Sequence, residues 1–409
     1  MSISSHTTRI KQEGFSKSER DFIQTHLNDD VNKLLLKTHK NLLSDHKKLI
    51  EQIASRQKAK KKLPEWSANH ALIFPPVLSI EQCSSEATAK YKASLIAGKA
   101  LIDITGGMGI DCYYMSKGFE QATYFEMNET VADAAEYNFQ ILEASNITVH
   151  AHNSIDYLSN TPCQADWIFA DPARRGSHQE KVVLLSDCTP DILHHLSTLF
   201  NISPQILLKT SPLLDIDLAI KQLKFVSEVH VIGYESECKE LLFILNKNHT
   251  SENVRITSVI LNASGEIIKS ISFTKEQEVR AAVSFSAPRR YLYEPHASIL
   301  KSGAFKILGT IFDIHKLSPN SHLYTSDVLI AEFPGRSFEI TAVCKPDSKE
   351  IAKRINTNKA NLTIRNFPAT IQELRKKLRI KEGGAHYLFA TTLNDTDKVI
   401  IITEKPKKE

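Results

Sequence analysis

With 409 residues, 42% of them hydrophobic and 24% charged, the chain has an ordinary globular composition and is too long for one small core, so two or three domains are expected. It contains no run of eighteen apolar residues, and Met1 to Lys17 is polar without an apolar h-region, which argues against a membrane span and a secretory signal. Six scattered cysteines, none in Cys-x-x-Cys or zinc-ligand spacing, predict a reduced cytoplasmic protein without structural metal.

The net charge of +4 is unevenly spread. Residues 1–62 carry 14 Lys/Arg against 7 Asp/Glu and residues 345–409 carry 15 against 8, so two basic flanks enclose an acidic middle. Clustered Lys and Arg reward a polyanion, and solvated lysine-rich helices would give the same counts.

The first predicted element is a helix over about 17–62, with Leu34, Leu35, Leu42, Leu43, Leu49, Ile50 and Ile53 at roughly helical spacing and Pro64 closing the run. Ser84-Ser85-Glu86 then caps a helix that runs to about Gly98. From Lys99 the pattern alternates: strands at 100–104, 122–126, 147–151, 166–170, 205–209, 229–234 and 240–246, helices at 129–143, 187–199 and 215–223. Near-continuous apolar strands such as Trp167-Ile168-Phe169-Ala170 suit a parallel sheet covered on both faces. Seven strands ending in an antiparallel hairpin predict a doubly wound, Rossmann-like α/β sheet of the class I methyltransferase type over 99–253, after an N-terminal helical region 1–98. A β-rich connecting region 254–325 follows, with a hairpin turn at Asn262-Ala263-Ser264-Gly265. A small α+β domain is expected over 326–409, with strands at 328–333, 338–343, 361–365, 386–392 and 398–403 and helices at 346–356 and 369–379.

The chemistry concentrates at the strand ends. Asp103-Ile104-Thr105-Gly106-Gly107-Met108-Gly109 closes the first strand with a glycine turn that lets backbone approach a nucleotide. A pyrophosphate loop would carry a third glycine where this chain has Cys112, so a ligand without pyrophosphate fits better. Glu126 ends the second strand, where a carboxylate can accept both ribose hydroxyls. Ser154, after the third strand, offers a polar side chain to an adenine amine, and Asp156 competes for that role. Asp171-Pro172 ends the fourth strand beside the sheet centre, where a carboxylate can hold an attacking nitrogen or oxygen and take its proton. Lys209 ends the fifth strand and lines the same cleft. With no cysteine expected at this edge, direct transfer is favoured over a covalent cysteine mechanism.

These residues resemble the class I S-adenosylmethionine-dependent methyltransferases, and more narrowly the bacterial methyltransferase-like proteins with a THUMP-like C-terminal domain. The resemblance is carried by Glu81-Gln82-Cys83-Ser84-Ser85-Glu86 with Tyr91-Lys92, by the 103–111 and Asp171-Pro172-Ala173-Arg174-Arg175 segments, by Tyr293-Glu294-Pro295-His296 with Lys301-Ser302-Gly303-Ala304, and by Leu374-Arg375-Lys376-Lys377-Leu378 with Gly383-Gly384. It implies S-adenosylmethionine contacts at Asp103, Gly107, Gly109 and Glu126, with Thr105 in the same loop, and an RNA substrate. Asp171, Pro172 and Arg174 are the expected catalytic residues; Arg175, Lys209, Arg365, Arg375, Lys376 and Lys377 are the expected substrate contacts. The family's exocyclic-amine enzymes of nucleic acids often follow Asp-Pro with Pro and an aromatic that stacks on a flipped base. Here Ala173 and Arg174 stand there, which leaves ring-nitrogen and ribose methylation open. Methylation of a protein or small molecule, and RNA binding without catalysis, are the alternatives.

Overall fold

The computed structural model describes residues 14–36, 46–174, 184–394 and 396–407. Leu42, Leu43 and Arg175 lie outside them. The chain divides into two compact units, one of Met1–Ser227 with Leu242–Thr250 and Asn262–Glu266, the other of Glu228–Leu241, Ser251–Leu261 and Ile267–Glu409.

The N-terminal helical stretch of the first unit is broken where one helix was expected. Lys17–Thr25 opens with a Ser16/Glu19 capping box. After Thr25, His26 bonds Asp29 at 2.7 Å, and the Asp30 carboxylate accepts the Asn32 and Lys33 N–H groups to start Val31–Leu36. Aspartates that bond nearby backbone compete with helix propagation, which accounts for the interruption. Helix His46–Ala59 follows, and Leu49, Ile50 and Ile53 pack with Ile23 and Leu34. Pro64 does not merely end the run. It is the first residue of helix Pro64–Ala68, where its missing N–H costs nothing. The buried Glu86 carboxylate accepts the next two N–H groups, Glu65 at 3.0 Å and Trp66 at 2.9 Å. Ser85 caps Glu86–Leu95 as expected.

The first sheet comprises β1 (Gly98–Asp103), β2 (Phe119–Phe125), β3 (Ile147–His150), β4 (Trp167–Ala170), β5 (Gln205–Thr210), β6 (Val226–Tyr234), β7 (Glu237–Asn246), β8 (Arg255–Leu261) and β9 (Ile267–Thr274). Its order is β9-β8-β6-β7-β5-β4-β1-β2-β3. Strands β3, β2, β1, β4 and β5 pair in parallel, and all four residues of β4 are buried, as its apolar run requires. The chain reverses at Glu235-Ser236 between β6 and β7. The seven expected strands are therefore present in the doubly wound order, and the sheet continues by two more: β8 runs parallel to β6, and β9 returns antiparallel through the Asn262–Gly265 turn, where Gly265 has φ +90°. These two strands come from the stretch expected to connect separate domains. The helix expected from 187 begins at Ile192, because Pro190 and the Asp191 cap set its start.

The second unit has its own sheet, of β10 (Tyr291–Pro295), β11 (His315–Lys316), β12 (Tyr324–Ser326), β13 (Gly335–Cys344), β14 (Asn361–Ile364), β15 (Tyr387–Leu393) and β16 (Asp397–Glu404), in the order β11-β12-β10-β13-β16-β15-β14. Helices Ser348–Ala352 and Ile371–Leu378 contribute Ile351, Leu374 and Leu378 to a core with Leu362, Leu388, Ile400 and Ile402. The strand expected at 328–333 is absent. There the Tyr293 hydroxyl donates to the Val328 carbonyl at 2.7 Å and accepts the Ile330 N–H at 3.0 Å, so a side chain serves this backbone in place of a neighbouring strand. Among the described residues no helix is long and apolar enough to cross a membrane.

Candidate functional site

The glycine turn after β1 is built by contacts that exclude other residues. Gly106 lies against the Tyr124 ring, which a Cβ would overlap, and Gly109 has φ +84° with Phe139 Cζ 2.6 Å from any added Cβ. Gly107, at φ +54°, faces open space, and only the Thr105 carbonyl oxygen comes within 4 Å of an added Cβ, at 3.9 Å. The loop thus packs tightly underneath and is bare at Gly107, where a ligand could approach. Tyr124 from β2 holds it from below, its hydroxyl donating to the Gly107 carbonyl.

Two of the expected cofactor residues meet at Gly107. Its N–H donates to Glu126 Oε2 at 2.9 Å, while Oε1 accepts the Asn128 N–H at 2.8 Å. Each oxygen keeps a further lone pair for a hydroxyl. Asp103 is 1% exposed; its Oδ1 accepts the Thr105 N–H at 3.0 Å, and its Oδ2 has no hydrogen-bond partner among the described residues. Burial pushes this carboxyl well above the usual range against the pull of the Thr105 N–H, and Asp111, Asp171 and Glu126 add to the rise. A buried carboxylate oxygen without a donor is costly and calls for a cation or donor. Thr105 reaches the opposite edge, its Oγ1 accepting the Asp171 N–H at 2.6 Å.

Asp171 and Lys209 form one group. The Lys209 ammonium donates to Asp171 Oδ2, with side-chain exposures of 12% for the lysine and 30% for the aspartate. Lys209 is thus the partner of the expected catalytic carboxylate, beyond being a lining residue. Pro172 is half-buried, and Ala173-Arg174 forms a short ladder with Cys188-Thr189. A cysteine therefore does accompany this edge, contrary to expectation. Its thiol is 7% exposed and donates to the Leu184 carbonyl at 3.7 Å. A second thiol, Cys83, feels the charges of Asp111, Lys209 and Asp171, but burial pushes it up to about 11, so at neutral pH it is protonated. A thiol held protonated is a weak nucleophile.

Ser154 turns inward. Its buried hydroxyl donates to the Ile104 carbonyl at 2.8 Å, supporting the turn, while Asp156 is exposed. Sequence reasoning gave no role to a buried triad beneath the same turn. Lys92 is fully buried; its Nζ donates to Ser84 Oγ at 3.1 Å and lies 3.2 Å from Asp111 Oδ1, within ion-pair range though off the hydrogen-bonding angle. Ser84 Oγ donates to Asp111 Oδ2 at 2.6 Å. The signal was available: Lys92 stands in the short helix Glu86–Leu95 among residues that are mostly buried.

In the second unit the expected RNA contacts divide. Arg365 pairs with Glu294 Oε1 at 2.9 Å, and Arg336 takes Oε2 of the same buried carboxylate. Arg365 therefore serves a structural clamp. Arg375 is largely covered and lies 3.4 Å from Glu382, whereas Lys376 and Lys377 are exposed. Among the described residues no cluster of three His, Cys, Asp or Glu is placed to hold a metal.

The donor set fits S-adenosylmethionine: a glycine turn without a phosphate-gripping third glycine, a carboxylate for a ribose, and a buried carboxylate with one oxygen that no described residue satisfies, for a cation. A family model described as THUMP domain-like matches residues 335–405, and one described as a ferredoxin-like domain matches 291–334. No curated protein matches the chain. Among solved structures, a protein of Porphyromonas gingivalis W83 provisionally named a methyltransferase is 31% identical, with 95% of this chain and 98% of that chain covered and a TM-score of 0.85. Weaker likenesses include a tRNA m1G37 methyltransferase of M. jannaschii, 11% identical over 40% of this chain and 49% of that one, TM-score 0.30. An rRNA methylase of Streptococcus thermophilus is 10% identical over 40% of this chain and 95% of that one, TM-score 0.29.

Proposed function

This chain belongs to the methyltransferase family of the Porphyromonas gingivalis protein and joins a methyltransferase sheet to a THUMP-like C-terminal domain, and on that premise we propose that it methylates RNA at a nitrogen or oxygen, using S-adenosylmethionine. The observation that carries the reading is the bare face of Gly107 with Glu126 bonded to its N–H, in a turn that opens on buried Asp103, one oxygen of which no described residue satisfies.

When bound, S-adenosylmethionine supplies a methyl group activated by a sulfonium. Asp103 would face its positive charge, and Glu126 would accept its ribose hydroxyls. At the other edge, Lys209 occupies one oxygen of Asp171 and fixes the carboxylate's direction. Asp171 Oδ1 is left to receive the N–H or O–H of the attacking group and then its proton. The rest of the rate comes from holding the nucleophile in line. The Cys83 thiol, pushed up to about 11 by burial and so protonated at neutral pH, supports direct transfer with no covalent step on sulfur.

RNA is favoured over a protein or small molecule by the THUMP-like domain, by the exposed Lys376 and Lys377, and by two flanks each carrying seven more Lys/Arg than Asp/Glu. The test is transfer of a tritiated methyl group onto total RNA from a deletion strain, alongside protein and small-molecule fractions. Label in RNA that disappears with Asp171→Ala is the expected result. Label confined to another fraction overturns the substrate class, and calorimetry without S-adenosylmethionine binding overturns the cofactor.

A further inference from the structure

Away from this site, the N-terminal helices of the first unit border a cleft of about 880 Å³ whose lining includes Arg56, Gln57, Lys60, Asp29 and Asp30. Arg56 is 3% exposed. Its Nη2 donates to the Leu72 carbonyl at 2.6 Å and the His70 carbonyl at 3.2 Å, and its guanidinium carbon lies 4.9 Å from the Phe74 ring centroid. The other two nitrogens, Nε and Nη1, have no hydrogen-bond partner among the described residues. Among the described residues no carboxylate lies within ion-pair distance of it, although burial lowers the group only to about 10, so it stays charged at neutral pH. A buried charge without a counter-charge is among the most costly arrangements in a protein interior, and an anion is what would relieve it.

The acidic residues of the cleft do not supply that anion. Asp29 accepts from His26, and Asp30 is taken up by the backbone of the helix it starts. Gln57 is likewise committed, to the Leu27 and Asp29 carbonyls. Lys60 is exposed and stands one turn after Arg56, its N–H bonded to the Arg56 carbonyl at 3.0 Å.

We propose that this cleft binds a phosphate group, with Arg56 as the buried anchor and Lys60 at the rim. Phosphate is favoured because a guanidinium stacked on an aromatic ring is suited to it, and because the cleft has room for an organic group beyond the anion itself. Its placement in the basic segment 1–62 agrees with that chemistry. The same chemistry could come from an RNA backbone or from a small phosphate or phosphate ester; the RNA source rests on the substrate class proposed above, the site does not.

The test is thermal unfolding of the full chain during titration with inorganic phosphate, against sodium chloride at matched ionic strength. A saturable rise in Tm with phosphate alone is expected, weakened about tenfold in apparent affinity by Lys60→Glu, roughly one charge-assisted contact. Arg56→Met should abolish it, and because Arg56 is buried and its replacement also perturbs folding, the surface change Lys60→Glu decides. A rise that sodium chloride reproduces, or that Lys60→Glu leaves unchanged, overturns the site. A uridine decamer that displaces phosphate assigns the site to an RNA backbone; binding of phosphate without such displacement assigns it to small phosphates. Because no methyl transfer is read, failure here leaves the proposed reaction untouched.

Discussion

The Lys209 ammonium is bonded to Oδ2 of Asp171, so the ends of β5 and β4 form one paired group at the edge proposed to receive the substrate. Lys209→Met should leave a carboxylate that is no longer aimed. We expect S-adenosylmethionine affinity by calorimetry to change little while kcat for methyl transfer falls about 100-fold, the scale of a mispositioned acid–base group. An unchanged kcat would mean that the lysine is a bystander.

On the proposed reading, Asp103 sets cofactor binding and stability against each other as pH changes. Burial raises its carboxyl in the folded chain above the unfolded value, so the folded protein holds that proton more tightly. Stability from this group is present at low pH and lost as pH rises through the raised value. A cationic cofactor needs the ionised form, so its affinity should grow over the same rise. Asp103→Asn keeps the acceptor for the Thr105 N–H and cannot ionise; it should unfold at a higher denaturant concentration at alkaline pH, by roughly 1–3 kcal/mol, yet lose the cofactor. Calorimetry and denaturation at pH 6 and 9 check both halves.

The triad beneath the turn should behave as a unit. Lys92→Met leaves Asp111 buried without its cation, at a cost of about 3–5 kcal/mol. Adding Asp111→Asn should recover part of that loss, and a double-mutant cycle by urea denaturation measures the coupling. Strict additivity would show that the two residues do not interact.

Alanine substitutions in the glycine turn should separate packing from conformation. Gly107→Ala meets only open space and a positive φ, for about 1–2 kcal/mol. Gly109→Ala adds the Phe139 clash to its positive φ and should cost roughly 1–3 kcal/mol more. Equal losses at both would contradict the open face at Gly107.

In the THUMP-like domain, Arg365→Ala should lower stability by unbalancing the Glu294 clamp and leave RNA affinity nearly unchanged. Lys376→Ala and Lys377→Ala should each weaken RNA binding and reduce the salt slope by about 1. Filter binding across salt concentrations distinguishes the two classes.

The sheet was legible because β4 is buried throughout and β1 and β5 each bury a run of three residues that reads as apolar, whereas β3 is half-exposed and shows only by its place in the alternation. The glycine turn was legible from its residue types, with Gly106, Gly107 and Gly109 following Asp103. What escaped were residues whose partners lie far along the chain. Glu294 is buried in β10, and the two arginines that pair with it stand 42 and 71 residues away. Val328-Leu329-Ile330 reads as a strand, but its backbone bonds go to a tyrosine hydroxyl. Lys92 was visible in sequence and its aspartate was not assignable without the fold. Ser154 was placed at the right strand end, but a side chain's direction is set by its neighbours, and it points under the turn.

The bond from the Asp171 amide to Thr105 Oγ1 bears on the order of events. The hydroxyl belongs to the loop proposed to receive the cofactor, and the amide to the residue proposed to receive the substrate's proton. The two are joined by a single contact of 2.6 Å, through which a ligand that shifted the loop would shift the edge. Such an enzyme should load its methyl donor first, and its acceptor should bind a surface already tuned by that donor.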